Sequence, residues 1–198
     1  MGKDAVANLL KDNDIKEKSL KESKEKSKDK FFCRETLRFP LNAIYYNFDD
    51  NAYSSKVYQV KTKTDLFSPH NHNLLFLDDD YEALKINNDL NNVTILNNEL
   101  NNLAKRLKDR GIKLIVLPSP DKLDFYYDEI VNKAAYPKPL FYDHLRSLKK
   151  EYIYIDAKKE LLENSKNSID VYFYDDTHWS PIAAKIMAKK LEKIILPN

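Results

Sequence analysis

Cysteine and glycine are almost missing from this 198-residue chain, with one and two residues respectively. The lone cysteine, Cys33, excludes an internal disulfide and a cysteine-built metal cage, and leaves the redox compartment undecided. An excess of charge is missing too. The 33 basic and 31 acidic residues leave a net charge of +2, so the surface is mixed and gives no support to nucleic-acid binding. Long hydrophobic runs are absent as well: nothing approaches the ~18 consecutive apolar residues of a membrane span, and the N-terminus has no apolar export segment. The chain therefore reads as soluble. What is abundant is Lys, Asn, Ile and Tyr, which a nucleotide bias in the source genome explains.

Residues 1–30 stand apart. Ala5, Val6, Leu9 and Leu10 form a short apolar patch, but Lys11 to Lys30 is nearly all charged or polar. That composition predicts a charged arm, helical or disordered, ahead of a domain over 31–198. From Phe31 to Lys63 aromatics interrupt polar residues without a clear period, and Pro40 reads as a turn, so irregular segments with one or two short strands are expected there. Leu74 to Leu77 reads as a buried strand followed by an Asp78-Asp79-Asp80 loop.

The pattern becomes regular from about Asn88. Leu90, Val93, Leu96, Leu100, Leu103 and Leu107 recur at three and four residues and predict an amphipathic helix, stopped by Gly111 at the left-handed position beyond its end. Lys113 to Leu117 reads as a central parallel strand, closed by Pro118-Ser119-Pro120-Asp121. A helix over Leu140 to Lys149, a strand over Tyr152 to Asp156, a short helix over Ala157 to Asn164 and a strand over Val171 to Tyr174 follow. The last helix opens with Ser180 as cap and Pro181 at its first position, burying Ile182, Ala183, Ile186, Met187, Leu191 and Ile194. This alternation predicts an α/β fold: a layered domain with a mostly parallel sheet flanked by helices.

In such sheets ligands gather beyond the carboxyl ends of the strands. Three polar clusters fall there: Ser119 to Lys122, Asp156, and Asp175-Asp176-Thr177-His178-Trp179. The last carries the strongest chemical signal. A carboxylate beside an imidazole fixes its tautomer and stabilises the imidazolium formed when it takes a proton from a nucleophile. His178 is the candidate base. Asp176 or Asp175 is its orienter, and spacing does not choose between them. Trp179 is expected to pack under the imidazole or on the following helix. His70-Asn71-His72, with Asp78, Asp79 and Asp80 nearby, offers a mixed donor set, but Pro69 and the Asn residues read as a loop; no metal or cofactor is expected.

Asp176-Thr177-His178-Trp179 followed by a helix rich in small residues resembles the DTHW or DHHW element of the SGNH-hydrolase-like domains of the alginate O-acetyltransferase (AlgJ/AlgX) family. The Leu117-Pro118-Ser119-Pro120-Asp121-Lys122 segment is similar to that family's strand, proline-containing turn and lysine. Leu74 to Asp80 is similar to its entry into the domain. Resemblance covers roughly residues 65–196. It implies that Asp176 and His178 serve a serine nucleophile carrying an acyl group, usually acetyl, to or from a cell-envelope polysaccharide. A glycan substrate, a membrane-bound acyl-donor protein as partner and a periplasmic or cell-envelope location are implied with it. Without an export segment, a complete gene product would instead be cytoplasmic. Asp175 with His178 also matches the Asp-x-x-His block of ordinary SGNH esterases.

The family's nucleophile lies in a Gly-Asp-Ser element after the DTHW helix. Neither Gly2 nor Gly111 is followed by Asp-Ser. Ser119 is the best-placed substitute, on a turn directly after a strand, although Pro118 and Pro120 clamp that turn and no helix is expected to start there. The sequence thus predicts an incomplete SGNH-like domain connected with polysaccharide O-acetylation or deacetylation, truncated or degenerate in its nucleophile. The alternatives are a non-catalytic glycan- or protein-binding module that keeps the fold, and an enzyme completed by a serine from another chain.

Overall fold

A computed structural model describes residues 34–52, 55–166 and 168–196. The charged arm expected over residues 1–30 lies outside them. The chain divides into two units, Met1–Ala52 and Tyr53–Asn198.

In the first unit, helix α1 spans Arg34–Tyr45 and contains Pro40. The expected turn at Pro40 is therefore a helical position; the ring forfeits one backbone donor without ending the helix. The helix ends where the Asn47 side-chain amide donates to the carbonyls of Ala43 and Ile44 (3.2 and 3.0 Å). They add to the backbone bond from Asn47 N–H to the Ile44 carbonyl (3.1 Å) in closing the last turn.

The second unit opens with strands β1 (Val57–Lys61) and β2 (Asn73–Leu77), paired antiparallel from Val57 opposite Leu77 to Lys61 opposite Asn73. Val60, Leu74 and Phe76 are buried, and Tyr58 stacks on Phe76 at 5.0 Å. Asp78, Asp79 and Asp80 are not a loop. They form the first turn of helix α2 (Asp78–Asn87), where negative charge meets the positive end of the helix dipole. The Asp80 carboxylate also accepts the Leu77 backbone N–H at 3.2 Å.

Helix α3 (Leu90–Lys108) starts on Asp89, whose side chain accepts the Asn91 N–H, and it ends as the sequence predicts. Gly111 has φ +73°, Ile112 N–H reaches the Leu107 carbonyl and Gly111 N–H the Lys108 carbonyl. These paired bonds are a Schellman motif, in which a left-handed residue costs least as glycine. The buried face of α3 differs from the expected leucine stripe. Val93, Asn97 and Ala104 are buried, whereas Leu90, Leu96 and Leu103 are exposed. Buried Asn97 is satisfied: it donates to the Lys149 carbonyl and accepts from the Tyr152 hydroxyl (3.0 and 2.9 Å).

Strand β3 (Ile115–Val116) pairs in parallel with β4 (Ile153–Tyr154). Among the described residues this two-stranded pair is the parallel element, so the expected mostly parallel sheet does not form there. Val171–Tyr174, read as a further strand, supplies only a single antiparallel bridge, Tyr172 to Trp179. The apolar run was a true signal of burial, since Val171 and Tyr172 are core residues, but their backbone turns back on itself locally.

Between β3 and β4, helix α4 (Lys122–Tyr126) begins where no helix was expected, with the Asp121 carboxylate accepting the Asp124 N–H at 2.7 Å. Helix α5 (Phe141–Ser147) follows. Helix α6 (Ala157–Asn164) starts on Asp156 and helix α7 (Pro181–Ile195) on Ser180, each cap accepting a first-turn N–H. Ala183 and Met187 of α7 are buried, while Ile182, assigned to that face, is exposed. One aromatic-rich core joins β1, β2, α4 and α7: Phe67, Phe125, Tyr126 and Tyr172 pack ring against ring beneath the 172–179 segment.

Candidate active site

Residues 172–179 form a tight hairpin-like loop on that aromatic floor. It is closed by the Tyr172–Trp179 bridge, by Phe173 N–H donating to the His178 carbonyl (3.2 Å) and by Ser180 N–H donating to the Val171 carbonyl (3.0 Å). Tyr172 is fully buried and bolts the base of the loop. Its hydroxyl donates to the Pro120 carbonyl at 2.5 Å and accepts from the Trp179 indole N–H at 2.9 Å. Trp179 is thus tied to Tyr172, and the loop leaves through Ser180 directly into α7.

The tip of the loop resolves the choice of carboxylate. Asp176 Oδ1 lies 2.5 Å from His178 Nδ1 and also accepts the His178 backbone N–H at 3.0 Å. A carboxylate two residues ahead can hold both groups because it closes a short side-chain-to-backbone turn. Asp175 makes no hydrogen bond to the imidazole; it faces a small cleft of about 120 Å³ shared with Val57, Leu75, Phe76, Lys122, Asp176 and Thr177. The hydrogen bond from the His178 side chain, helped by the backbone N–H, holds the Asp176 carboxyl below the ordinary carboxylate range. His178 and Asp176 are open to water, with side-chain exposures of 81% and 52%. With Nδ1 engaged, Nε2 faces outward and has no hydrogen-bond partner among the described residues. That is the geometry of a base awaiting a proton.

Beneath the loop lies the last residue of the Ser119–Lys122 cluster. Lys122, in the first turn of α4, is 1% exposed, and its ammonium donates to the carbonyls of Phe173, Tyr174 and Asp176 at 3.0, 2.8 and 3.2 Å. It also lies 5.0 Å from the centre of the Phe67 ring. Burial pushes its pKa down to about 8, against the opposing attraction of Asp80, Asp175 and Asp176. The preceding Asp121 is pushed up to about 7, chiefly by burial, with Asp80 and Asp124 adding to the rise.

The other candidates separate. Ser119 is exposed on its turn, and its hydroxyl makes one long hydrogen bond, 3.4 Å to the Pro120 carbonyl, and none to His178 or Asp176. Asp156 caps α6 and accepts from Arg146 at 2.5 Å, away from the dyad's hydrogen bonds. His70 and His72 turn from Asp78–Asp80 to Asp65, at 3.3 and 3.4 Å. Among the described residues no group of three or more His, Cys, Asp or Glu side chains is arranged to hold a metal ion. Nor is any described helix long and apolar enough to cross a membrane.

Comparison with known proteins finds relatives for the second unit's sequence. Residues 73–198 match the SGNH hydrolase-like domain of the acetyltransferase AlgX. Over 96 residues the chain is 31% identical to the probable alginate O-acetylase AlgJ of Pseudomonas fluorescens, a match covering 47% of this chain and 24% of that protein. The chain thus spans about a quarter of the curated relative. No solved structure matches it.

Proposed function

Because the chain belongs to the family of SGNH hydrolase-like domains found in AlgX, we propose that it carries the acid–base half of an acyl-transfer site acting on acetyl groups of a cell-envelope polysaccharide. His178 is the general base and Asp176 its orienter. The observation that carries this reading is the 2.5 Å contact from Asp176 to Nδ1, which leaves Nε2 unengaged on an exposed loop. A carboxylate on Nδ1 keeps the proton there, so the Nε2 lone pair takes the proton of an attacking hydroxyl and returns it to the leaving group. Ser119 does not fill the nucleophile's place. The nucleophilic hydroxyl comes from outside residues 1–198, on a Gly-Asp-Ser segment that docks within about 3 Å of Nε2. Work at the cell envelope, with a membrane-bound acyl-donor protein as partner, follows from the same family reading, and the name of the AlgJ relative supports a polysaccharide acceptor.

The test is hydrolysis of an activated acetyl ester by residues 1–198, alone and mixed with or joined to a segment bearing Gly-Asp-Ser. The joined protein is expected to turn over, and His178→Ala to lower its rate by roughly 10² to 10⁴. A rate indifferent to His178 overturns the base assignment. An acetyl adduct on Ser119 of the 198-residue chain overturns the external nucleophile. If the joined protein shows no turnover but retains a polysaccharide, the binding-module alternative replaces the catalytic one.

A further inference from the structure

The geometry points to Lys122 as the positioning residue of the dyad, an inference that rests on reading Asp176 and His178 as the acid–base pair. An ammonium has three N–H donors and no acceptor. At Lys122 all three find a carbonyl, those of Phe173, Tyr174 and Asp176. These carbonyls belong to the ascending side of the loop, between the Tyr172–Trp179 bridge and the imidazole. The third belongs to Asp176 itself. Fixing that peptide group fixes the direction of the Asp176 Cα–Cβ bond, and so the place of the carboxylate oxygen that meets Nδ1 at 2.5 Å.

Nothing else in the loop does this. Tyr172 secures only its base, through Pro120 and Trp179. Phe173 N–H meets the His178 carbonyl and the Asn71 amide meets the Tyr174 hydroxyl, but neither bond reaches the Asp176 peptide group, and both members of the dyad are exposed. A buried cation is costly unless it is paired and fully hydrogen-bonded. Here three carbonyl dipoles surround it, the carboxylates of Asp80, Asp175 and Asp176 face it, and the Phe67 ring closes one side. A residue kept only for packing at 1% exposure would be apolar. The lysine stands where a surface loop needs three acceptors held from below.

The readout is the tautomer of His178, measured on the ¹⁵N-labelled chain by long-range ¹H–¹⁵N correlation near pH ~7.5, where an ordinary imidazole is neutral. The signals are assigned with His178→Ala. The wild-type chain is expected to hold the proton on Nδ1. Lys122→Met removes the three donors and keeps the stem, and should shift the balance toward Nε2–H by about tenfold, as for loss of one charge-assisted bond. Tyr172→Phe is the control for a merely structural role. It should loosen the base of the loop and leave the tautomer on Nδ1. If Lys122→Met does not fold, the same measurement is made on Lys122→Leu, which likewise has no donor for the three carbonyls. Either folded variant retaining the wild-type tautomer overturns the inference. A wild-type chain with its proton on Nε2 overturns instead the dyad reading beneath it, so the two failures are distinguishable.

Discussion

Two loops of the second unit pair histidine with aspartate, and they do it differently. At 172–179, one carboxylate serves one imidazole at 2.5 Å, on a backbone of ordinary conformation. At 65–72, the Asp65 carboxylate is divided between His70 and His72 at 3.3 and 3.4 Å. Both of those histidines have left-handed backbones, with φ of 49° and 47°. The first loop stands on a buried cation and a buried tyrosine. The pairs of both loops are open to water, where a pair by itself is worth little. The residue types are the same, so what distinguishes a poised base is a single short contact to Nδ1 and support from the core. The two loops touch where the Asn71 amide donates to the Tyr174 hydroxyl at 2.7 Å, which makes them separable by mutation rather than by distance.

Changes beneath the first loop should move stability further, in either direction, than removing charge from the second. The largest effect is expected from Asp121, which caps the helix carrying Lys122. Its carboxyl is raised from an ordinary value of 3.8 to about 7. The folded state then binds more protons than the unfolded state between those values, so this group's contribution to stability falls as pH rises from about 4 to 7 and is lowest above 7. Asp121→Asn keeps the cap without the charge. It should flatten that decline, stabilising the chain at pH ~8 by up to about 3 kcal/mol while changing little at pH ~4, as read by urea unfolding across pH. An unchanged pH slope would mean that Asp121 is solvated. Next is Ser180→Ala, where the last helix leaves the dyad loop. Losing the bond to the Ile182 N–H (3.1 Å) should cost about 1 kcal/mol in the same measurement. The smallest effect is expected from Asp65→Ala, within about 0.5 kcal/mol and with the His178 tautomer unmoved. A larger loss, or a shifted tautomer, would show that the two loops act as one.

The sequence was most legible where structure is decided locally. Ser180-Pro181 and Gly111 mark helix ends through bonds made within one turn, and each stands at its expected place, whereas Asp156, read as the end of a strand, is a helix cap. The Asp-Thr-His-Trp element was legible as an aspartate–histidine pairing, and Asp176 does meet His178. What was not legible depends on partners far along the chain. Lys122 meets acceptors 51 to 54 residues away, and nothing in its neighbours distinguishes a lysine folded inward from one in water. Asp121, by contrast, was a readable helix start, an acid preceding Leu123, Phe125 and Tyr126, that the flanking prolines obscured. The leucine stripe of α3 misled because periodicity reports an apolar face and not which face meets the core. Asn97 is inside on account of Lys149 and Tyr152, again far away in sequence. Likewise Val171–Tyr174 reads as strand by its apolarity, yet its partner is the loop's own far end, Trp179.

Trp179 is the one tryptophan of the chain, and it sits between the catalytic candidate and the last helix with its indole N–H on the Tyr172 hydroxyl. Nature has therefore placed a single long-wavelength fluorophore inside the dyad loop. Its emission reports this loop alone, unmixed with the thirteen tyrosines. A red shift signals that the indole has left Tyr172 for water, and docking of any segment or glycan over His178 can be followed without a label.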